Sequence, residues 1–214
     1  RTAADNFMGL YNKREALEIQ DIEEAFSVEA LSKEFFGKYK AQYDRFVGYM
    51  ADPANGMRQD FIDPDLVSTV KSTNSEREEK PIRDYVKKLL GRIVFLHFLQ
   101  KKGWLGVPAT AEWGEGKYDF MLQLYNRASE TQKNNFLDEV LEKLFTEGLD
   151  SDRSNQGDLF DTGVEGFREC RIPYLNGGLF EQDELDQKSA HFPATYFKEL
   201  LEMFAQYNFT IAEN

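Results

Sequence analysis

The apolar stretch from Ile82 to Leu99 constrains the fold of this chain more than any other feature. It places aliphatic and aromatic residues at helical spacing, and from Ile93 to Leu99 nearly the whole circumference of the expected helix is apolar. A proline at position 81 suits the first helical position, and Gly103 suits a C-cap. The sequence therefore predicts a helix from Pro81 to Lys102 that is buried on most sides.

The same helix carries an excess of positive charge. The window from Lys80 to Gly103 holds seven basic residues and one acidic residue, whereas the whole chain has a net charge of −12. Basic residues along one helix supply the salt-sensitive part of nucleic-acid binding. The alternative is an exposed face whose lysines and arginines pair with the acidic surplus of the chain. The candidates for contacts with a DNA backbone are Lys87, Lys88, Arg92, Lys101 and Lys102.

Helical spacing recurs elsewhere along the chain. It predicts helices over residues 28–50, with Ser27 as N-cap, and over 118–126, 131–146 and 194–207. The acidic segment from Asp150 to Gly166 is rich in Gly, Asn and Ser, which predicts an exposed loop. Asn176-Gly-Gly178 predicts a tight turn or a small hairpin within residues 171–181.

We therefore expect a mainly α fold, an irregular multi-helix domain of five or six helices with a small turn or hairpin insertion. Residues 1–25 are expected to be an irregular lead-in from a preceding domain, and residues 26–214 to form the helical domain. The chain begins with Arg1 and ends on a polar run, which favours a fragment of a longer protein.

Few residues suggest catalysis. With one cysteine and two histidines the metal inventory is poor, and the sequence contains no phosphate loop, dinucleotide fingerprint or nucleophile elbow. On the buried part of its helix, His97 is more often a core histidine than a ligand or a base. Cys170 is most simply a small, partly buried residue. The absence of a long apolar run and of a signal-peptide pattern favours a cytoplasmic protein without a membrane partner.

One loose match to a metal-dependent nuclease stays open. Pro64-Asp65 followed by Glu78, Glu79 and Lys80 has the spacing of a PD…(D/E)xK motif, and Glu115-Gly-Lys117 offers a second E-x-K. That chemistry needs carboxylates held rigidly around Mg²⁺. The residues from Lys71 to Lys80 (KSTNSEREEK) show no strand alternation, so a solvated polar loop is the alternative.

Four segments together resemble one family. They are LSKEFFGKYKAQYDRF (31–46), VKKLLGRIVFLHFLQKKGWLGV (86–107), IPYLNGGLFE (172–181) and FKELLEMFAQYNFTIAEN (197–214). In this order they resemble the helical region that precedes the methyltransferase domain in fused restriction–modification enzymes of the type IIG kind and in related phage-defence DNA adenine methyltransferases.

The resemblance implies a parent protein in which an Mg²⁺-dependent nuclease precedes this region and an S-adenosylmethionine-dependent adenine N6 methyltransferase follows it. The catalytic motifs of both are absent here, so the chain itself is expected to bind no cofactor and to contribute no catalytic residue. Its implied partners are those two adjoining domains and, through the parent, DNA.

Two roles follow as hypotheses. The first is a non-catalytic helical connector that spaces the two modules, in which Tyr174, Asn176, Gly177 and Gly178 form a turn that contacts a neighbouring domain, the cofactor pocket or DNA. A purely structural turn is the alternative for those residues. The second role is a stand-alone helical module that recruits a protein partner.

Overall fold

The computed structural model describes residues 30–62, 79–175 and 178–207. These residues contain six α-helices, namely α1 (Ala30–Ala51), α2 (Arg58–Phe61), α3 (Lys80–Lys101), α4 (Phe120–Arg127), α5 (Glu130–Asn134) and α6 (Ala194–Ala205). Two π-helical segments, Leu137–Leu141 and Leu144–Leu149, follow α5, and short 3-10 turns cover Pro53–Asn55 and Ser154–Gln156. The expected mainly α fold is confirmed.

A small antiparallel sheet accompanies the helices. Its strands are β1 (Val107–Pro108), β2 (Leu159–Phe160) and β3 (Cys170–Arg171), with β3 in the centre. Arg171 pairs with Val107 on one side and with Leu159 on the other. The insertion within the helical fold contains a small sheet of three two-residue strands that are distant in sequence. Asn176 and Gly177 lie outside the described residues, so the turn expected there stays a prediction.

The structure corrects the prediction of an exposed loop over residues 150–166. It contains β2, and Phe160, Thr162 and Val164 are buried. The composition of the segment does not reveal these buried side chains, because they alternate with exposed or partly exposed residues from Phe160 to Val164.

The described residues divide into two compact units. The first contains α1, α2, the part of α3 up to Gly91, and the segment Gln182–Ala190. Its core includes Tyr39, Phe46 and Met50 of α1, all almost fully buried. Phe61 of α2 packs edge-on against Tyr85 of α3, with ring centroids 5.0 Å apart.

The second unit contains Arg92–Glu181 and the chain from His191 onwards. Here α4 packs against α6, and the Tyr125 hydroxyl donates a hydrogen bond to the Ala194 carbonyl oxygen over 2.9 Å. A capping box begins α5, in which the Ser129 side chain accepts from the Gln132 backbone and the Gln132 side chain accepts from the Ser129 backbone. The apolar residues expected to face inward from 136 to 145 are buried.

The helix ends show why the chain turns where it does. Asp52 follows α1 and caps the Pro53–Asn55 turn, which closes on Gly56 at a φ of 78°. The predicted α3 is confirmed to within one residue at each end. Ser27 and the expected boundary near residue 25 lie outside the described residues, so both stay predictions. None of the described helices is both long and apolar enough to cross a membrane.

Candidate nucleic-acid interface

Two of the basic residues of α3 are engaged within the first unit. The Lys88 ammonium lies 2.5 Å from a carboxylate oxygen of Asp183 and 3.0 Å from one of Asp186. Lys87 lies 3.8 Å from a carboxylate oxygen of Asp84. For these two lysines, pairing with the acidic surplus describes the structure better than a free basic face.

Arg92 is not on an exposed face. It is only 4% exposed, its Nε donates to the Leu179 carbonyl oxygen over 2.7 Å, and an Nη donates to that of Glu181 over 2.9 Å. The guanidinium also lies over the Phe145 ring. The expectation of a DNA contact from Arg92 is therefore corrected, because this side chain fastens a segment of its own unit.

The remaining two basic residues lie at the C-terminal end of α3. Lys101 is partly buried and Lys102 is exposed. Gly103, at a φ of 68°, donates to the Gln100 carbonyl, and the Trp104 N–H reaches back to that of Leu99. These two bonds form a Schellman motif, which ends the helix and sets the direction of the chain that follows.

That chain, from Gly103 to Tyr118, is a loop held by its own backbone. The Gly103 carbonyl oxygen accepts from the N–H groups of both Gly114 and Gly116, at 3.1 and 2.8 Å. A Cβ built on Gly103 would stand 2.0 Å from the Gly114 carbonyl oxygen, so no other residue fits at this position. The loop is therefore fixed in shape by the close approach of two backbone segments.

Three large rings on this loop are exposed. Trp104 is 43% exposed, Trp113 is 37% exposed and Tyr118 is 58% exposed. Trp104 and Trp113 adjoin the glycines whose backbones meet, and the Tyr118 hydroxyl lies 3.5 Å from the Gly114 carbonyl oxygen. The loop thus presents three aromatic side chains to solvent from one small region.

Arg171 of β3 completes this region. Its guanidinium carbon lies 4.2 Å from the centroid of the Trp113 ring. Its Nη1 donates to the Ala111 carbonyl oxygen over 2.9 Å and its Nε to that of Gly157 over 3.2 Å. No described residue accepts a hydrogen bond from its Nη2, which leaves a fixed donor at the edge of the ring. We call Trp104, Trp113, Tyr118 and Arg171 the aromatic loop surface.

In the sequence, residues 104–116 contain glycine and tryptophan and predict a loop. The available signal was that both tryptophans of the chain fall within ten residues, directly after a basic helix end. The sequence did not indicate Arg171, because this residue is distant in sequence from Trp113 and comes close to it only through the pairing of β1 with β3.

The turn suggested by the family resemblance is described only at its flanks. Tyr174 is 36% exposed, the Leu175 N–H donates to the Leu149 carbonyl oxygen, and Gly178 is partly buried. After the turn, Phe180 is buried with its ring centroid 5.9 Å from that of Phe95. Asn176 and Gly177 lie outside the described residues, so the contact proposed for this turn stays a prediction.

His97 belongs to a buried polar network. Gln100 accepts from the Met121 N–H at the start of α4 through Oε1, so its amide nitrogen faces His97 Nδ1 at 2.7 Å. This orientation makes Nδ1 an acceptor and places the imidazole proton on Nε2. Burial and, to a smaller extent, the Lys101 charge lower the pKa of His97 to about 4, and a backbone hydrogen bond with Tyr207 opposes the shift. The expectation of a core histidine is confirmed.

Cys170 is a buried thiol of β3. Burial raises the pKa of the Cys170 thiol to about 12, so this thiol is a poor nucleophile. Within the described ranges, no three His, Cys, Asp or Glu side chains are grouped so as to hold a metal ion. Asp65 and Glu78 of the loose nuclease motif lie outside those ranges, whereas Glu115 and Lys117 are exposed on the loop.

No protein-family model, no curated protein and no solved structure matches this chain. The resemblance to the region before a type IIG methyltransferase domain therefore stays a prediction based on the four sequence segments.

Proposed function

We propose that this chain is the non-catalytic helical connector of a cytoplasmic DNA restriction–modification enzyme. Four sequence segments in the order of that family support the proposal, together with a mainly helical structure that contains the expected α3. S-adenosylmethionine and Mg²⁺ would act in the adjoining methyltransferase and nuclease domains. The resemblance implies that the catalytic motifs of both activities lie in those domains, so we propose no step of either reaction for this chain.

We further propose that the connector approaches DNA at the C-terminal end of α3. The observation that carries this proposal is the position of Lys102, which is exposed at the helix end directly beside the aromatic loop surface. Lys101 precedes it, so two positive charges lie in succession. A cation at such a position contributes to affinity through release of counterions from the phosphate backbone.

The binding experiment compares the intact chain with a charge-reversal variant. Lys102→Glu is expected to weaken the binding of a short duplex at low salt by about tenfold, because it removes one phosphate contact and adds a repulsive charge. The matched control is Lys198→Glu, which reverses an exposed lysine on α6. Equal losses for the two variants, or no binding by the intact chain, would contradict the assignment of this helix end.

The activity and the gene context test the connector role. Neither methyl transfer from S-adenosylmethionine nor Mg²⁺-dependent cleavage is expected from the isolated chain, and a clear signal in either assay contradicts the proposal. An N-P-P-Y motif downstream in the same reading frame supports a connector. Stop codons close to both ends would favour the stand-alone interaction module instead.

A further inference from the structure

We infer that the aromatic loop surface binds unpaired nucleobases, so that the connector holds single-stranded nucleic acid more tightly than a duplex at this helix end. The inference rests on the proposed function and deepens it, because it names the form of the nucleic acid that this helix end would meet. It is argued from exposed rings, a fixed guanidinium and local charge.

The exposure of the rings needs a reason. The core of this chain buries most of its large aromatic side chains, yet three rings within fifteen residues remain in contact with water. Grouped apolar surface of this kind marks a binding site more often than scattered single residues do. The glycine contact between residues 103 and 114 keeps the loop ordered, so the rings are held out rather than left on a mobile segment.

The guanidinium of Arg171 indicates an anionic or carbonyl-rich ligand. Two of its nitrogens are fixed by carbonyl oxygens, and Nη2 keeps donors for a further acceptor. Placed over the Trp113 ring, the planar guanidinium adds hydrogen-bond donors beside an aromatic face. A nucleobase matches both the planar surface and the donors, since it has a flat face and carbonyl oxygens at its rim. The phosphate of a nucleotide also accepts hydrogen bonds from a guanidinium.

The local charge also fits a polyanion better than the rest of the chain does. Four cations (Lys101, Lys102, Lys117 and Arg171) accompany three carboxylates (Glu112, Glu115 and Asp119) on the helix end, the loop and β3. This small excess contrasts with the net charge of −12 for the whole chain. Because the excess is small, stacking on the rings rather than charge must supply most of the affinity.

Base-paired DNA offers these rings no free base face on which to stack. In a duplex each base is already stacked on its neighbours, and a short rigid loop meets only phosphates and groove edges. In a single strand the base faces are available, and stacking of a base on an aromatic side chain tolerates any sequence. The surface therefore favours unpaired bases.

Intrinsic tryptophan fluorescence can be used to measure this interaction. Its only two tryptophans are Trp104 and Trp113, so tryptophan fluorescence reports on the aromatic loop surface alone. The intact chain is titrated with single-stranded oligothymidylate, with a duplex of equal length, and with polyphosphate as a polyanion that has no bases. Strong quenching by the single strand is expected, with weaker quenching by the duplex and none by polyphosphate.

Variants separate stacking from simple proximity. Tyr118→Ala keeps both tryptophans and is expected to weaken binding of the single strand by about tenfold, the size expected for the loss of one stacked ring. The control Tyr196→Ala removes a partly exposed ring on α6, outside the aromatic loop surface, and should leave the affinity unchanged. Thermal unfolding of both variants verifies that the fold is intact.

Three outcomes overturn the inference. Equal affinity for single strand and duplex, or unchanged affinity in Tyr118→Ala, removes the role of the rings while the proposed DNA contact of Lys102 stands. Quenching by polyphosphate equal to that by oligothymidylate shows that charge alone is sensed. If no nucleic acid binds at all, both the inference and the DNA contact fail, and a protein partner becomes the occupant to test.

Discussion

The guanidinium carbon of Arg171 lies over the Trp113 ring, 4.2 Å from its centroid. This contact joins β3 to a loop that begins some sixty residues earlier, and the hydrogen bond from Arg171 Nη1 to the Ala111 carbonyl oxygen fixes it. The pair therefore has a structural role, since it holds the loop to the sheet, and it also forms one edge of the aromatic loop surface.

Replacement of Arg171 by lysine tests the structural part of this pair. Lysine keeps the charge but loses the planar fork, so both carbonyl hydrogen bonds and the stacking are lost. We expect the free energy of unfolding to fall by about 1–2 kcal/mol. In a Trp104→Phe background, in which Trp113 is the sole emitter, the emission should shift towards that of a solvated indole. An unchanged emission maximum would show that the stacking does not persist in solution.

Arg92 and Lys88 lie one helical turn apart on α3, but we expect their replacement to lower the free energy of unfolding by different amounts. Arg92→Ala removes a buried guanidinium together with its two hydrogen bonds and its contact with the Phe145 ring. We expect the free energy of unfolding, measured with urea, to fall by about 3 kcal/mol. Lys88→Ala removes ion pairs with Asp183 and Asp186, and because Asp183 is half exposed the change should lower the free energy of unfolding less, by about 1 kcal/mol. Similar losses for the two variants would refute the core placement of Arg92.

Two glycines provide a matched test of the loop. Gly103→Ala places a Cβ against the Gly114 carbonyl oxygen at a φ of 68°, and we expect a destabilisation of at least about 2 kcal/mol. Gly48→Ala lies within α1, where a Cβ meets no described atom within 4 Å, and should stabilise the protein by up to about 1 kcal/mol. The same sign for both changes in thermal unfolding would contradict the close approach at Gly103.

His97 makes the stability of the protein depend on pH. Its pKa in the folded state is lowered from 6.5 to about 4, so between these values the unfolded chain binds a proton that the folded chain does not. Stability is therefore full above pH 6.5 and falls as the pH decreases towards 4, after which this group causes no further loss. Burial of the imidazole is the main reason for the lowered pKa, because the charged form loses its contact with water.

The measurement is urea unfolding at pH 7 and pH 5 for the wild type and for His97→Gln. The wild type should lose about 2 kcal/mol more than the variant between the two pH values. Carboxylates elsewhere titrate in both proteins and cancel in the comparison. Equal losses would mean that His97 is accessible to protonation in the folded state.

The sequence predicted the parts of the fold that rest on local spacing. The helix α3 was found because its apolar residues recur with helical period, and Gly103 was found because it ends that pattern. Arg92 was misplaced on the basic face because its acceptors, Leu179 and Glu181, come from a segment almost ninety residues away. Local spacing contains no information about such a partner.

The sheet and the aromatic loop surface were missed for a related reason. Strands of two residues have no alternation to detect, and the pairing of Val107, Leu159 and Arg171 is set by tertiary contacts. Whether Trp104 and Trp113 are buried depends on the contact between Gly103 and Gly114, which sequence spacing does not reveal. The family resemblance points to the region of the parent protein but assigns no residue of this loop.

The salt dependence of duplex binding tests the central claim most directly. For the intact chain, the logarithm of the association constant should fall linearly with the logarithm of the salt concentration. Replacing both Lys101 and Lys102 by alanine should make the slope shallower by about 2, whereas the same change at Lys87 and Lys88, which face carboxylates of their own unit, should alter it much less. An unchanged slope in the first double variant, or binding that is absent or insensitive to salt in the intact chain, would contradict contact between this helix end and DNA.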